Sequence, residues 1–429
     1  MPTRPISLPS PGLGADFWRF FVGQTVSNLG SAVTMFALPL LVYSLTGSAL
    51  NLGIVTAATM LPYLLFGLVI GAWVDRVDRR RLMIATDLGR ALVVGIIPAL
   101  AAVDRLSVWA VYAVAAVSST LTIAFDAAQF AAIPSLVGAE DLVTANGRIQ
   151  ASFSTAQVAG PPLAGALLSV VPVEVVFLID ALSFVVSAAS LSLIATRLNR
   201  APAHGTGQPS IRRNVVEGLR YVLGHPVLRN ISLMMALVNF VGATVGAQLV
   251  LYAHDRLDAS DPQVGLLFSA GSAGVIVLSL AAGPLRRRFP FGVVALGALA
   301  LDGLLTVGLA WTRWYPAALL LWALMSGLGT LFNINTGSLR QAIVPNHLLG
   351  RVISVAGVLA WSAIPLGALL GGWVIERTGS VALVYAAEGM LMALIALAFF
   401  VFTPLGRAER YLPAPTPQAE AGVPAAVSH

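Results

Sequence analysis

The chain has 429 residues, of which 57% are hydrophobic and only 10% charged, against roughly 25% charged in soluble globular proteins. These values exclude a water-soluble fold, and the absence of cysteine excludes disulfides, thiolate chemistry and cysteine-ligated metal sites. The net charge of +6 comes from arginines in short segments between apolar runs, so it indicates membrane topology rather than nucleic-acid binding.

Twelve apolar segments are long enough to cross a bilayer core as helices. They predict an all-α membrane protein with twelve transmembrane helices and the lipid bilayer as its surroundings. In chain order the predicted spans cover residues 17–45, 50–73, 82–103, 107–130, 147–171, 173–195, 228–252, 262–283, 290–311, 315–338, 351–374 and 379–403.

The distribution of arginine predicts the orientation. With a cytoplasmic N terminus, the outer loops contain only four arginines, and the remaining loop arginines lie inside. Both termini are therefore predicted to be cytoplasmic. The four outer arginines would be Arg105, Arg256, Arg313 and Arg377.

Composition divides the chain into four parts. A six-helix bundle over residues 1–195 and a second over 228–403 are separated by a cytoplasmic linker, 196–227, which contains a predicted amphipathic helix on the membrane surface. Residues 404–429 are rich in Pro and Ala and are predicted to be a disordered tail.

The two bundles resemble each other at nearly constant spacing, which predicts parallel repeats that rock around a central pathway. In this repeat, a carboxylate in span 6 corresponds to a carboxylate in span 12. A carboxylate in span 4 corresponds to an amide in span 10. Matched positions include Gly53 with Gly265, Phe125-Asp126 with Phe332-Asn333, Pro162 with Pro365, and Asp180 with Glu388.

The loop between spans 2 and 3 contains Gly71, then Asp75-Arg76, then Arg79-Arg80-Arg81. Glycine permits close helix packing, the arginines hold the loop in the cytoplasm, and Asp75 can neutralise a positive helix N-terminus. An ordinary positive-inside loop is the alternative, but it does not explain Asp75. The spacing therefore predicts a conformational latch.

This loop resembles the signature of the major facilitator superfamily. Segments 177–184, 217–222 and 339–351 are similar to the branch of macrolide-efflux and enterobactin-exporter proteins, and the resemblance covers about residues 17–403. It implies the major facilitator fold in a bacterial plasma membrane, and it implies that the loop aspartate meets the start of span 11. The implied latch comprises Gly71, Asp75, Arg76, Arg79, Arg80 and Arg351.

Span 5 contains Gly160-Pro161-Pro162-Leu163-Ala164-Gly165, a partial match to a signature associated with antiporters in this family. Glycine and proline also kink and closely pack membrane helices without any consequence for transport direction. The sequence leaves both interpretations open.

Carboxylates inside the spans are costly, at about 3 kcal/mol each near the bilayer centre, and usually have a purpose. Asp87 lies three residues before Arg90, so these two are expected to neutralise each other. The proton-coupling candidates are Asp126, Asp180, Asp302 and Glu388.

Among these four acids, Asp126 is the strongest candidate, because span 4 resembles a cavity-lining helix and the repeat mate Asn333 is neutral. A helix-end carboxylate near the membrane surface is the alternative. Asp180 and Glu388 can be either hydrogen-bonded structural groups or proton carriers. The sequence leaves the same two roles open for Asp302.

The resemblance implies a cavity lined by spans 1, 4, 7 and 10. Sparse polar groups among apolar ones suit a bulky amphiphilic ligand. The candidate cavity residues are Gln24, Asn28, Asn239, Gln248, Trp322, Met325, Phe332, Asn333 and Asn335.

Together with these features, the resemblance implies a secondary transporter that exports small amphiphilic compounds of drug, macrolide or siderophore type by proton antiport. The protein is expected to act as a monomer, without cofactor, metal or nucleic acid. Metabolite uptake or lipid flipping by the same fold is the alternative. All five histidines lie outside the predicted spans, and without intramembrane His or Cys an enzyme is not expected. No P-loop motif is present, so ATP is not the expected energy source.

Overall fold

The computed structural model describes residues 13–74, 77–137, 141–198 and 211–411. Within these ranges the chain forms helices joined by short turns, with no strand. A helix satisfies its backbone hydrogen bonds internally, which is what a segment surrounded by lipid requires.

The first half contains six long helices, and a shorter helix follows in the linker. Their bounds are α1 Ala15–Thr46, α2 Ala49–Val74, α3 Arg79–Ala101, α4 Val108–Leu136, α5 Leu142–Leu168, α6 Val173–Ser192 and α7 Ile211–Gly224.

The second half is more interrupted. Its helices are α8 Pro226–Ala247, α9 Leu249–Leu257, α10 Asp261–Arg288, a π-helical segment Gly292–Leu296 that continues into α11 Gly297–Trp311, α12 Tyr315–Ile343, α13 Asn346–Trp361, α14 Ala363–Thr378, α15 Val381–Phe402 and a 3₁₀ helix Pro404–Tyr411.

Two predicted spans are each built from two helices. Span 7 corresponds to α8 and α9, which meet at Gln248, and span 11 corresponds to α13 and α14, which meet at Ser362. Because α9 continues to Leu257, His254 lies in a helix and not in a loop as predicted. Asp258 then ends α9 in the left-handed conformation, with φ of 50°.

Eleven segments of the described chain are long and apolar enough to cross a membrane, with α13 and α14 forming one of them. Helix α5, which overlaps the predicted span 147–171, is not among the eleven. The count of twelve spans and the cytoplasmic location of the termini therefore stay predictions.

The helices form two bundles. Helices α1 to α6 pack mainly with one another, as do α8 to α15, while α7 packs on α13 and α8. Extensive contacts between the bundles are made by α2 with α14 and by α5 with α10. The space between the bundles is therefore bounded by helices of both halves.

The prediction of disorder from residue 404 is wrong for Pro404–Tyr411. This short helix is anchored because Leu405 and Ala408 are fully buried and because the Glu409 carboxylate accepts a hydrogen bond from the Phe291 backbone. Residues 412–429 of the predicted tail lie outside the described residues.

Candidate transport pathway between the two bundles

Small residues bring the bundles together along two equivalent seams. On one seam Gly265 of α10 faces Gly165 of α5, and a Cβ at Gly265 would lie 2.9 Å from the Gly165 Cα. On the other, Gly53 of α2 faces Ala368 of α14, and a Cβ at Gly53 would lie 2.5 Å from the Ala368 carbonyl oxygen. Gly53 and Gly265 are repeat mates, so the internal repeat produces a pseudosymmetric interface.

Polar contacts between the bundles lie at the same end of the molecule, where α1 ends and α2 begins. The Tyr43 hydroxyl donates to Asp255 Oδ1 at 2.9 Å, and the Ser48 hydroxyl donates to Glu376 Oε2 at 2.9 Å. The Gln248 amide donates to a backbone carbonyl at the start of α2 at 2.6 Å. We call this end, defined by residues 43–53, 248–269 and 365–378, the closed end.

The opposite end of the molecule, where α1 begins, differs in its polar contacts. Within the described part of the chain, every side-chain hydrogen bond between the bundles lies at the closed end. The hydrogen bonds between described side chains therefore join the bundles at one end, and we call the end where α1 begins the open end.

A buried polar cluster occupies the interior of the first bundle. Arg90 forms an ion pair with Asp87, and its guanidinium lies between the rings of Phe125 and Phe184 at 4.4 and 4.3 Å from their centroids. The Ser187 hydroxyl donates to Asp87 Oδ2 at 2.6 Å. Pairing and the two aromatic faces together compensate the desolvation of the charge.

Gln24 belongs to this cluster rather than to the space between the bundles. Its side-chain amide donates to the Ser187 hydroxyl at 2.7 Å, and the residue is only 4% exposed. The next candidate on the same helix, Asn28, is half-buried.

Asp126 lies at the edge of the cluster, one residue after Phe125, with its side chain exposed. It is close enough to Arg90 and Tyr63 to interact with both electrostatically. An ionised carboxylate directed into lipid would be costly, which favours surroundings of protein or water for this side chain. Its repeat mate Asn333 is also exposed.

The other acidic candidates have different surroundings. Asp180 is 1% exposed and accepts a hydrogen bond from the Ser183 hydroxyl at 3.2 Å. Glu388 is 9% exposed, and its Oε2 atom has no hydrogen-bond partner among the described residues. Both carboxylates are therefore enclosed within their own bundles.

Asp302 is half-buried on α11, and no side-chain hydrogen bond to its carboxylate is found among the described residues. The adjacent Gly303 packs against Gly389 and Ala393 of α15. Asp302 therefore lies on the part of α11 that packs on α15, away from the closed end.

The predicted latch is only partly visible. Asp75 and Arg76 lie outside the described residues, and of Gly71 only the backbone in α2 is described. The Arg79 guanidinium donates to the Ala131 carbonyl of α4 at 3.0 Å.

The next arginine, Arg80, donates to the Leu191 carbonyl at 3.0 Å and to the Ser192 carbonyl at the end of α6. Positive groups stabilise the negative C-terminal end of a helix. Arg80, together with Arg79, therefore ties the start of α3 to neighbours within one bundle.

Arg351 contacts the linker helix. Its guanidinium donates to Glu217 Oε2 of α7 at 2.6 Å, and both side chains are partly exposed. The sequence predicted Arg351 as a latch residue but did not identify Glu217 as its partner, although both lie in segments that resemble the efflux branch.

The remaining cavity candidates are mostly committed to packing or backbone contacts. Asn239 donates to the Ala360 carbonyl at 2.9 Å, just before the break between α13 and α14, and Trp322 lies against Gly271 of α10. Gln248 seals the closed end. Met325, Phe332 and Asn335 are buried, at 5%, 3% and 2% exposure.

Comparison with known proteins places this architecture in a family. The model of the Major Facilitator Superfamily matches residues 20–360 and 242–428. The chain belongs to the major facilitator superfamily. It is thus a multi-pass transport protein of the bacterial plasma membrane with a small-molecule substrate.

Two relatives of this major facilitator protein are efflux pumps. It is 29% identical over 389 residues to the multidrug efflux pump Tap of Mycolicibacterium fortuitum, covering 87% of this chain and 93% of that one. It is 27% identical to macrolide efflux protein A of Streptococcus pyogenes, covering 85% and 90%. The resemblance to the macrolide-efflux branch is therefore confirmed.

Solved structures confirm the fold. A bacterial homologue of the human lysosomal transporter Spinster superposes with a TM-score of 0.72 at 14% identity, covering 95% of this chain and all of the other. The nucleoside transporter NupG, as a D323A mutant, superposes with a TM-score of 0.75 at 11% identity, covering 90% and 98%.

Proposed function

We propose that this transporter exports amphiphilic drugs, with macrolide-type compounds as the leading class. Both efflux relatives align over more than four fifths of the chain, which supports a shared transport task. The interface that seals only one end of the bundles supports alternating access, in which the seal moves from one end to the other.

We propose further that the termini are cytoplasmic, as the arginine distribution predicts. The closed end then faces the outside, and the structure represents the state that loads substrate from the cytoplasm. In the opposite state, Asp75 of the predicted latch would meet the start of α13, near Arg351, and favour closure on the cytoplasmic side.

The observation that carries the coupling proposal is the position of Asp126. It is the acidic candidate that combines an exposed carboxylate with the proximity of a buried arginine, Arg90. A carboxylate in that position can exchange a proton with the pathway, while Arg90 stabilises its ionised form. We propose that one proton bound at Asp126 drives each export cycle, with the protein acting as a monomer.

The test of export is an accumulation assay in cells with and without the protein, using macrolides, tetracyclines, dyes and siderophores. We expect lower steady-state accumulation of at least one amphiphilic drug in expressing cells, and we expect a protonophore to abolish the difference. Equal accumulation of every compound would contradict export. A difference that survives the protonophore would contradict proton coupling alone.

A further inference from the structure

At the closed end, one tyrosine of the first bundle contacts two adjacent residues of the second. The Tyr43 ring of α1 stacks on the His254 ring of α9, with centroids 5.0 Å apart and an interplanar angle of 7°. Its hydroxyl donates to Asp255 Oδ1 at 2.9 Å. A single side chain of α1 therefore bridges the two bundles through both a stack and a hydrogen bond.

His254 also contacts a carboxylate within its own bundle. Its Nε2 lies 3.2 Å from Asp261 Oδ1, and the two side chains are 23% and 53% exposed. The turn between them is fixed by the left-handed Asp258 and by a capping box of Ser260 with Gln263. The His254–Asp261 contact is therefore expected to persist when the bundles separate.

The charged and titratable groups around the imidazole are few. Asp261 comes from α10, Tyr43 from α1 and Asp255 from the same helix, whereas Arg256 is directed away, towards the Ala310 carbonyl of α11 at 3.4 Å. The surroundings of the imidazole ring are thus acidic and aromatic.

We propose that His254, Tyr43, Asp255 and Asp261 form an external proton-binding site that holds the outer mouth of the transporter closed. This proposal deepens the proposed function, from which it takes the outward location of the closed end. Histidine is the side chain that ordinarily changes charge between pH 5 and pH 8.

A proton can shift the equilibrium only if the closed and open mouths bind it differently. The contact that differs is Tyr43, because Asp261 and Asp255 belong to the same bundle as His254. When the mouth closes, the tyrosine ring covers the imidazolium as a cation–aromatic pair. When it opens, the ring withdraws with α1, and the proton is held less tightly.

The absence of cysteine allows a direct test by spin labelling. Val103 and Trp314 lie in loops of different bundles at the closed end and are 60% and 69% exposed. Cysteines at these positions report the opening of the mouth as a longer distance between labels. In lipid nanodiscs without substrate, we expect the closed-to-open ratio to rise about two- to fivefold from pH 8 to pH 5, the size of one partly exposed cation–aromatic contact.

Three variants separate the proposed site from other titrating groups. His254→Gln and Tyr43→Leu should each abolish the pH step, whereas Tyr43→Phe, which keeps the ring, should retain it with a smaller closed fraction at every pH. The control is His225→Asn near the open end, where burial lowers the histidine pKa and Asn can replace the cap on α8.

The outcome is decisive in each direction. A parent protein without the pH step would overturn the proposal, as would retention of the step in His254→Gln or Tyr43→Leu. The measurement uses neither a drug nor a proton gradient, so it does not depend on whether the protein proves to be an exporter. Conversely, if the parent protein exports no drug but shows the pH step, the proposed function is contradicted and the proposed proton-binding site is still supported.

Discussion

At the scale of single residues, Arg90 shows how a charge is accommodated inside a membrane bundle. Its neighbours supply a carboxylate, two aromatic faces and, at the edge of the cluster, Asp126. The first carboxylate, Asp87, is fully buried, and its ion pair with Arg90 compensates its charge inside the bundle. Asp126, whose side chain is exposed, is the residue that we propose as the proton carrier.

The first prediction concerns Asp126→Asn. We expect this variant to lose concentrative, protonophore-sensitive efflux while it still exchanges substrate downhill, because the amide cannot carry a proton. The measurement is drug transport in proteoliposomes with and without a pH gradient. Asp180→Asn is the matched control and should mainly lower the folded yield. Uphill pumping by Asp126→Asn at the parent rate would rule out this residue.

A second prediction separates the structural part of the cluster from its exposed edge. Arg90→Met leaves the Asp87 carboxylate buried without its cation, a change that typically costs about 3–5 kcal/mol. We expect a large drop in thermal stability and in folded yield. The double variant Asp87→Leu/Arg90→Met removes both charges and should recover most of the loss, whereas Arg105→Gln in an exposed loop should have no effect. Equal stability of the single and double variants would contradict this account.

At the scale of helices, the glycine seams determine how closely the bundles approach. A side chain at Gly265 meets the backbone of Gly165, which cannot move aside as a flexible side chain could. The same helix contains Gly283, where a Cβ would meet nothing within 4 Å. Helix α10 therefore offers both a sensitive position and its own control.

The third prediction follows from this difference. Gly265→Val should push the bundles apart at the closed end and increase the open-mouth population, while Gly283→Val should leave it unchanged. The distance between labels at Val103 and Trp314 measures both. An unchanged distance distribution in Gly265→Val would show that the seam is not required for closure.

Helix α7 raises the question of whether an ion pair or apolar burial holds the linker in place. The Arg351–Glu217 pair is partly exposed, with side chains 31% and 45% accessible, and such pairs contribute about 0.2–1 kcal/mol. Val222 is fully buried against α13 and its surroundings, and burial of a valine contributes about 1.5–3 kcal/mol. Apolar packing is thus the larger contribution.

The fourth prediction is that Val222→Asp releases α7, whereas Glu217→Gln does not. Limited proteolysis in the linker should become faster in the first variant and stay within about twofold of the parent in the second, as expected for loss of a partly exposed pair. Comparable cleavage of both variants would assign the docking to the ion pair instead.

At the scale of the whole molecule, the orientation in the membrane decides which mouth the closed end represents. The fifth prediction is that a cysteine introduced at Ala421 is not labelled by a membrane-impermeant maleimide in intact cells, but is labelled after permeabilisation. A cysteine at Val103 should react in intact cells and serves as the positive control. The reverse labelling pattern would place the closed end on the cytoplasmic side and the open end on the outer side of the membrane.

The sequence by itself determined the class of the molecule. Long apolar runs with few charges require helices in a bilayer, the repeat of Gly53 as Gly265 predicts two related bundles, and the loop after Gly71 indicates the superfamily. It also paired Asp87 with Arg90 correctly, because residues three apart share a helix face. These inferences depend on local composition and spacing.

Contacts between helices distant in sequence were decided only by the tertiary structure. Gln24 and Gln248 were expected in the cavity, but the first bonds to α6 and the second to the start of α2. Tyr43 and His254 carried no local signal, since their pairing joins helices more than 200 residues apart in the chain. Helical periodicity indicates which residues share a face, but the rotation of each helix against its neighbours determines whether that face meets lipid, protein or the pathway.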